Sequence, residues 1–423
     1  MTTVIVLFAI MVLLGIPIYF VLGVVSAVYF FSHDISPLMV LQRMFVGLDQ
    51  FVIMAVPMFI LTGNIMGKGG AMERLINLSI ALVGHLRGGL AYVNIVCSML
   101  FAGISGAATA DVAALGPLEI ELMERGGYKK DYATALTISS SMIGPIIPPS
   151  LPLVVYGVVA SASIGKLFLG GILPGVFIGA VLGLLVFYQA RKHNFPTSTR
   201  SSMSQLGATL KKSSGALVLP VLILVGIYTG WFTPTEAAAI ACVYALVLGK
   251  FVYRELDWKD MPEILLSTGL VAASTLSIVS IASAFSYIMA IEQVPMKFAQ
   301  YLLSITDNSF VMLLLINLGM LFLGCFMETL AAIIITAPIF LPIVIAVGMD
   351  PIQLGVIMSL NLTMGLLTPP LGINLFIANS ITGLSIERIV KANMPFFLVL
   401  VVTVLILTYV PQITMFLPNA LMD

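Results

Sequence analysis

Two acidic side chains and two Pro-Pro pairs stand where long apolar runs would bury them. Asp111 closes the small, polar run AGISGAATAD at 102–111, and Glu328 sits in GCFMET at 324–329. The run TISSSMIGPIIPPS at 137–150 is too polar and proline-rich for an unbroken membrane helix, and LNLTMGLLTPPL at 360–371 repeats its pattern. Unwound backbone leaves carbonyl oxygens unpaired, and carbonyl and hydroxyl oxygens suit a hard cation. Gly103, Ser105, Ser141 and Gly144 are candidate ligands for one cation, and Gly324, Glu328, Thr363, Gly365 and Thr368 for a second. An anion nearby would be met by hydroxyls, amides and the N-termini of half-helices that start after each Pro-Pro. Candidates for that contact are Ser139, Ser140, Pro149, Asn361, Pro370 and Asn374. Acids at membrane depth are costly and mark ion or proton pathways by default, so Asp111 is a candidate coupling residue.

These residues need elements that hold them inside a membrane. Of the 423 residues, 60% are hydrophobic and 9% charged, against about 25% charged in soluble domains. The runs 4–32, 167–190, 213–235, 264–291, 351–386 and 392–422 carry no Asp, Glu, Lys or Arg. Each is long enough to cross a hydrocarbon core of about 30 Å as a helix. The chain therefore reads as an all-α polytopic membrane protein, which excludes a soluble enzyme, and the alternating strands of a membrane barrel are missing. The zero net charge implies no nucleic-acid partner. Cys97, Cys242 and Cys325 lack metal spacing and read as small packing residues.

The pattern predicts spans at 4–31 and 51–66, joined by a loop over 33–50. An amphipathic surface helix follows at 71–86. Two half-length limbs around the small-residue tip, 89–123, suggest a re-entrant hairpin, tolerated at membrane depth only where protein or a wet cavity satisfies its backbone. A broken crossing over 131–162 and a span over 167–190 come next. The basic stretch 191–214, with Arg191, Lys192, Arg200, Lys211 and Lys212, is the boundary between halves. The second half repeats the order: spans at 215–230, 234–251 and 264–291, an amphipathic piece at 295–304, a hairpin over 308–347, a broken crossing at 351–383, and a last span at 394–416. Asn64 and Asn94 read as interhelical hydrogen-bond residues.

The repeat is gapless at an offset of 221. Gly103, Pro117, Gly127, Gly144, Pro148 and Pro149 meet Gly324, Pro338, Gly348, Gly365, Pro369 and Pro370. With 36 Gly and 22 Pro in the chain, chance pairing would give roughly half a match over that window, so the repeat is real. One Pro-Pro would read as a kink; a matched pair of broken helices points to the binding site of a secondary transporter. Asp111 and Glu328 do not map onto each other, since Asp111 pairs with Ala332 and Glu328 with Ala107. Placing the basic stretch in the cytoplasm leaves only Arg43, Lys166 and Lys297 outside among the Lys and Arg. It makes the second copy inverted, with the N-terminus cytoplasmic and the C-terminus periplasmic.

Taken together, PMFILTGNIM, GHLRGGLAYVNI, FAGISGAATADVAALGPLEIELMERGGY, GPIIPPS, GCFMETLAAIIITAPIFLPI and MGLLTPPLGINLF resemble the large membrane subunit of tripartite ATP-independent periplasmic (TRAP) transporters, over essentially the whole length. The resemblance implies an elevator-type transporter: an inverted repeat with two re-entrant hairpins and two broken helices. Segments 89–166 and 308–390 would form the transport domain. Segments 1–88 and 215–307 would supply scaffold helices and arms, 167–214 a span and the linker, and 391–423 the last span. It also implies sodium-driven import of a small carboxylate across a bacterial inner membrane, with about two sodium sites and no organic cofactor. The expected partners are a separate small four-helix membrane subunit and a periplasmic substrate-binding protein. Ser105, Asp111 and Glu328 fall at functionally important hairpin positions of the family, although many members carry Asp-Pro where this chain has Glu328–Thr329. Competing readings are a stand-alone sodium/dicarboxylate symporter of the same superfamily and, from another class, a channel or membrane scaffold.

Overall fold

Proline and short capping residues decide where the helices begin and stop. The computed structural model describes residues 2–14, 16–192, 195, 202–306, 308–370 and 372–422. Every regular element among the described residues is helical, and seven helical runs there are long and apolar enough to cross a membrane. The chain is an all-α, multi-pass membrane protein. Arg200 and Leu371, both used in reading the sequence, lie outside the described residues.

The N-terminal third departs from expectation twice. The span expected over 4–31 is two helices, α1 (Thr2–Leu13) and α2 (Ile18–Ser32). Pro17 lies between them in extended backbone at ψ 133°, and the residue before a proline is itself driven away from helical geometry. The loop expected over 33–50 is mostly helix: α3 (Pro37–Leu48). Ser36 caps it by accepting from Leu38 N at 3.3 Å, and Pro37 fills the first turn, where a missing N–H costs nothing. A tight turn at Phe51–Met54 leads into α4 (Ala55–Lys68). Next comes α5 (Ala71–Val83), which buries Leu75, Leu78 and Ser79 and exposes Glu73 and Asn77.

A helix pair follows, α6 (Gly89–Ser105) and α7 (Ala108–Arg125). After it comes a broken crossing made of α8 (Lys130–Ser140), an irregular stretch through 150, and α9 (Leu151–Val159). The long helices α10 (Ile164–Lys192) and α11 (Met203–Tyr228) flank the basic stretch. That stretch is a linker only in part. From residue 203 it is helix continuous with the next span, started by a Ser202/Gln205 capping box.

The second half holds α12 (Pro234–Val247), which widens for one turn through Tyr253, and α13 (Met261–Ile291). Then come α14 (Val294–Ile305), the pair α15 (Ser309–Gly324) and α16 (Thr329–Ala346), and the broken crossing α17 (Pro351–Met364) with α18 (Ile373–Thr382). The expected last span is two elements, α19 (Ile386–Tyr409) and α20 (Pro411–Met422), divided at Pro411. α20 folds back onto α10, where Thr414 lies against Gly170.

Packing crosses between the halves. α9 lies against α16, and α18 against α7. The Tyr156 hydroxyl of α9 donates to Pro351 O at 2.7 Å. α13 runs beside α2, α3, α4 and α16. At its crossing with α3, a methyl on Gly47 would strike Ser283, and Ser280 Oγ donates to Met44 O at 3.1 Å. Asn64 joins α4 to α13 by donating to Thr268 Oγ1 at 2.9 Å.

Candidate functional site

The turn between α6 and α7 is shaped by Gly106, whose φ of +64° lies in the left-handed region that glycine tolerates best. A methyl there would also hit Pro149 O. Leu151 N donates to Gly106 O at 3.2 Å, so the tip is stitched by backbone to the broken crossing. Ser105 donates to Asp111 Oδ1. Asp111 is 1% exposed, and its Oδ2 has no hydrogen-bond partner. That oxygen faces Gly144, where any Cβ would collide with it. Gly103 packs on Pro220 and lies near Pro148 O. Ser105, Asp111 and Gly144 thus meet in one buried spot, with the Ser141 carbonyl accepting from Gly144 N at 3.1 Å.

The second tip is built differently. Gly324 and Gly365 meet backbone to backbone, which leaves no room for a side chain at either. The Cys325 thiol and Thr368 hydroxyl pair at 2.9 Å, and Thr368 Oγ1 donates to Gly365 O at 2.8 Å. Glu328 is the N-cap of α16: its Oε2 accepts from Leu330 N at 3.0 Å and Ala331 N at 3.3 Å. A carboxylate is favoured there by the positive end of the helix dipole. Both Pro148–Pro149 and Pro369–Pro370 are cis.

Between the tips lies a cavity of about 420 Å³. Ala107–Thr109 and Glu328–Leu330 bound it from the two tips; Pro145, Leu151, Thr363 and Ile373 from the two broken crossings; Leu270 to Ile278 from α13. Its hydroxyls are Thr109, Ser274, Thr275, Thr329 and Thr363, and Glu328 is its one acid among the described residues. A second cavity of about 530 Å³ adjoins it between α4, the α6–α7 pair and α13.

The six residues expected to touch an anion lie elsewhere. Ser139 Oγ donates to Asn393 Oδ1 at 2.6 Å, and Ser140 Oγ to Asn94 Oδ1 at 2.7 Å. Asn361 Nδ2 donates to Asn317 Oδ1 at 2.8 Å, and Asn374 Nδ2 to Ser141 Oγ at 3.3 Å. Pro149 is buried against Gly106, and Pro370 is exposed. None of the six lines the cavity between the tips. Their bonds tie one broken crossing to α6 and α19 and the other to α15.

Asn94 is the interhelical hydrogen-bond residue the sequence suggests, at the centre of a buried polar cluster whose acid, Glu119, the sequence reading did not single out. Asn94 Nδ2 donates to Glu119 Oε2 at 2.8 Å and to Thr137 Oγ1 at 2.7 Å, and Ser98 Oγ donates to Ser140 Oγ at 3.0 Å. Glu119 is 2% exposed. It lies eight residues after Asp111, and both acids are buried on α7. Ser140 and Asn361 are related by the 221-residue offset and each bonds an asparagine of the helix pair beside it, Asn94 and Asn317, although those two asparagines are not related by the offset.

Two tips, two broken crossings and a shared cavity in a multi-pass helical protein are the arrangement of a membrane permease. The family model of the tripartite ATP-independent periplasmic transporter, DctM component, matches residues 5–413, and the chain belongs to that family. It is 42% identical over 378 residues to the sialic acid TRAP transporter large permease protein SiaM of Vibrio cholerae, covering 89% of this chain and 88% of that one. It is 38% identical to the C4-dicarboxylate TRAP transporter large permease protein DctM of Pseudomonas aeruginosa, covering 89% and 88%. It is 42% identical to the isethionate TRAP transporter permease protein DctMQ of Oleidesulfovibrio alaskensis, covering 97% of this chain but 65% of that longer one. The fold is similar to that of the Alcanivorax borkumensis YdaH transporter, at TM-score 0.57 and 16% identity over 84% of this chain and 85% of that one. It is also similar to Neisseria gonorrhoeae MtrF, at TM-score 0.59 and 11% identity over 90% and 84%. The chain is a TRAP-type large permease.

Proposed function

We propose that the chain imports a small organic anion, coupled to sodium, through the cavity between the tips. The observation that carries this is the cavity itself: both tips, both broken crossings and α13 contribute walls to one space of about 420 Å³. The repeated order of elements, with each broken crossing packed on the other half's helix pair, supports an inverted repeat with re-entrant pairs. In that reading, segments 89–166 and 308–390 move together as an elevator against the rest. Sodium, as a transported ion, is held by Ser105, Asp111 and the backbone at Gly103, Ser141 and Gly144, and a second ion by oxygens around Gly324, Thr363, Gly365, Thr368 and Glu328. The buried free oxygen of Asp111 supports the first site, because an unpartnered buried carboxylate oxygen is costly without a counter-charge.

The anion is met by Thr109, Ser274, Thr275, Thr329 and Thr363 and by the N-terminus of α18. Ser139, Ser140, Asn361 and Asn374 act behind the cavity by fixing the broken crossings. The relatives' names suggest sialic acid, a C4-dicarboxylate or isethionate as the cargo class. A small membrane subunit and a periplasmic binding protein complete the inner-membrane machine.

The test is uptake of labelled N-acetylneuraminate, succinate and isethionate into proteoliposomes, with and without a sodium gradient and with and without a co-encoded binding protein. Accumulation that needs both sodium and the binding protein is expected. Equal uptake in choline medium sinks the sodium coupling. Uptake without the binding protein favours a stand-alone symporter.

A further inference from the structure

The two cavities form an adjoining pair that follows α13 from Ile278 to Ser267, sharing Ala107, Thr109, Leu151 and Val271 in their walls. Its outer end is bounded by Asn64 and Lys68 of α4 and Ser267 of α13. Asn64 and Lys68 are four residues apart on one helix face, as are Glu263 and Ser267. Lys68 Nζ donates to Glu263 Oε2 at 2.6 Å across the mouth, with side chains 43% and 69% exposed. Among the described residues lining the two cavities, Lys68 is the one cation. The mouth lies toward the basic stretch, for Ser213 Oγ donates to Arg74 O at 2.9 Å, one short turn and a helix start beyond Lys68.

We propose that Lys68, with the Asn64 amide, forms a second anion subsite at this mouth, beside Ser267. It takes the carboxylate of a small organic anion between the cavity and bulk solvent, and Glu263 is the resident counter-ion that the ligand displaces. The inference rests on reading the central cavity as the anion's path. An exposed ion pair holds its partners weakly, so one carboxylate replaces another at little cost. A lysine ammonium is a compact charge that accepts many approach angles, which suits a site of passage. An arginine fork would hold a carboxylate more tightly.

The experiment uses the full chain in detergent carrying Ser267→Cys, with the unsubstituted chain as the blank for its three native cysteines. Labelling rates are compared for anionic 2-sulfonatoethyl and cationic 2-(trimethylammonium)ethyl methanethiosulfonate. Glu263→Gln is expected to raise the anionic-to-cationic rate ratio about two- to fivefold, and Lys68→Gln to lower it by a similar factor, the scale of an exposed charge pair. Succinate is expected to slow anionic labelling when Lys68 is present and not in Lys68→Gln, with Lys68→Arg restoring protection and guarding against misfolding. A ratio unchanged by both substitutions, or equal succinate protection with and without Lys68, overturns the subsite. Sodium-dependent uptake that persists beside such a result leaves the proposed function standing. Lys68-dependent protection in a chain that accumulates no anion would instead keep the subsite and sink the transport reading.

Discussion

The two helix-pair tips have the same order of parts and treat their carboxylates in opposite ways. At the first tip, Asp111 sits at the end of the first turn of α7, reaches back to the Ser105 hydroxyl, and leaves its other oxygen unpaired against Gly144. At the second, Glu328 precedes the helix, accepts two backbone N–H groups, and faces the cavity. Displacing an acid by a few residues along a tip changes its partner from a hydroxyl to a helix end. The first acid then retains an unmet demand for positive charge, while the second is largely answered by the α16 N-terminus. The first tip suits an ion held by a carboxylate; the second suits one held mainly by backbone and hydroxyl oxygens, with its acid capping α16 at the cavity wall.

The comparison breaks most directly at Asp111. Asp111→Asn is expected to abolish sodium-dependent stabilisation of the detergent-solubilised protein and to cut uptake by about a hundredfold or more, the scale of losing one partner of a buried charge pair. Sodium titrations of thermal unfolding check this; an undiminished sodium shift would dissolve the contrast between the tips. Gly365→Ala should act on stability instead. Its methyl would have to displace the Gly324 backbone, and overpacking of that kind costs about 1–3 kcal/mol, read as a lower Tm in both sodium and choline. Gly144→Ala sharpens the distinction, since its methyl meets the Asp111 carboxylate rather than backbone. It should weaken the sodium response more than the Tm in choline. Glu328→Ala is expected to give the smallest effect on sodium dependence and to cost about 1 kcal/mol as a lost helix cap. If Glu328→Ala instead removes the sodium response as fully as Asp111→Asn, the two acids play the same part.

Much of the frame was legible because Gly and Pro mark backbone that cannot continue as helix. The tips at 106–107 and 325–328 and both broken crossings fall where GISGAA, GCFMET and the two Pro-Pro pairs stand. The missed elements share a cause. α3 is short and carries Arg43, so it lacked the length of a span, although Ser36–Pro37 is a ready helix start. Pro17 and Pro411 were absorbed into charge-free runs because hydropathy does not register a missing N–H. Site residues were harder. Ser139, Ser140, Asn361 and Asn374 stand beside the breaks but bond to neighbouring helices rather than line the cavity, and a period of 3.6 without knowledge of neighbours cannot separate a cavity wall from the bond behind it. Asn393 and Asn317, which hold two of those residues, lie in other helices and carry no local signal.

α13 has a consequence of its own. It is 31 residues long and unbroken, about 46 Å at 1.5 Å per residue, whereas a typical hydrocarbon core is about 30 Å thick. The helix that lines both cavities therefore crosses obliquely, draws thicker lipid around it, or runs out into the headgroup layers. The working rate of the protein should then depend on acyl-chain length, with the path opening most easily in bilayers matched to α13 and stiffening in short-chain lipid.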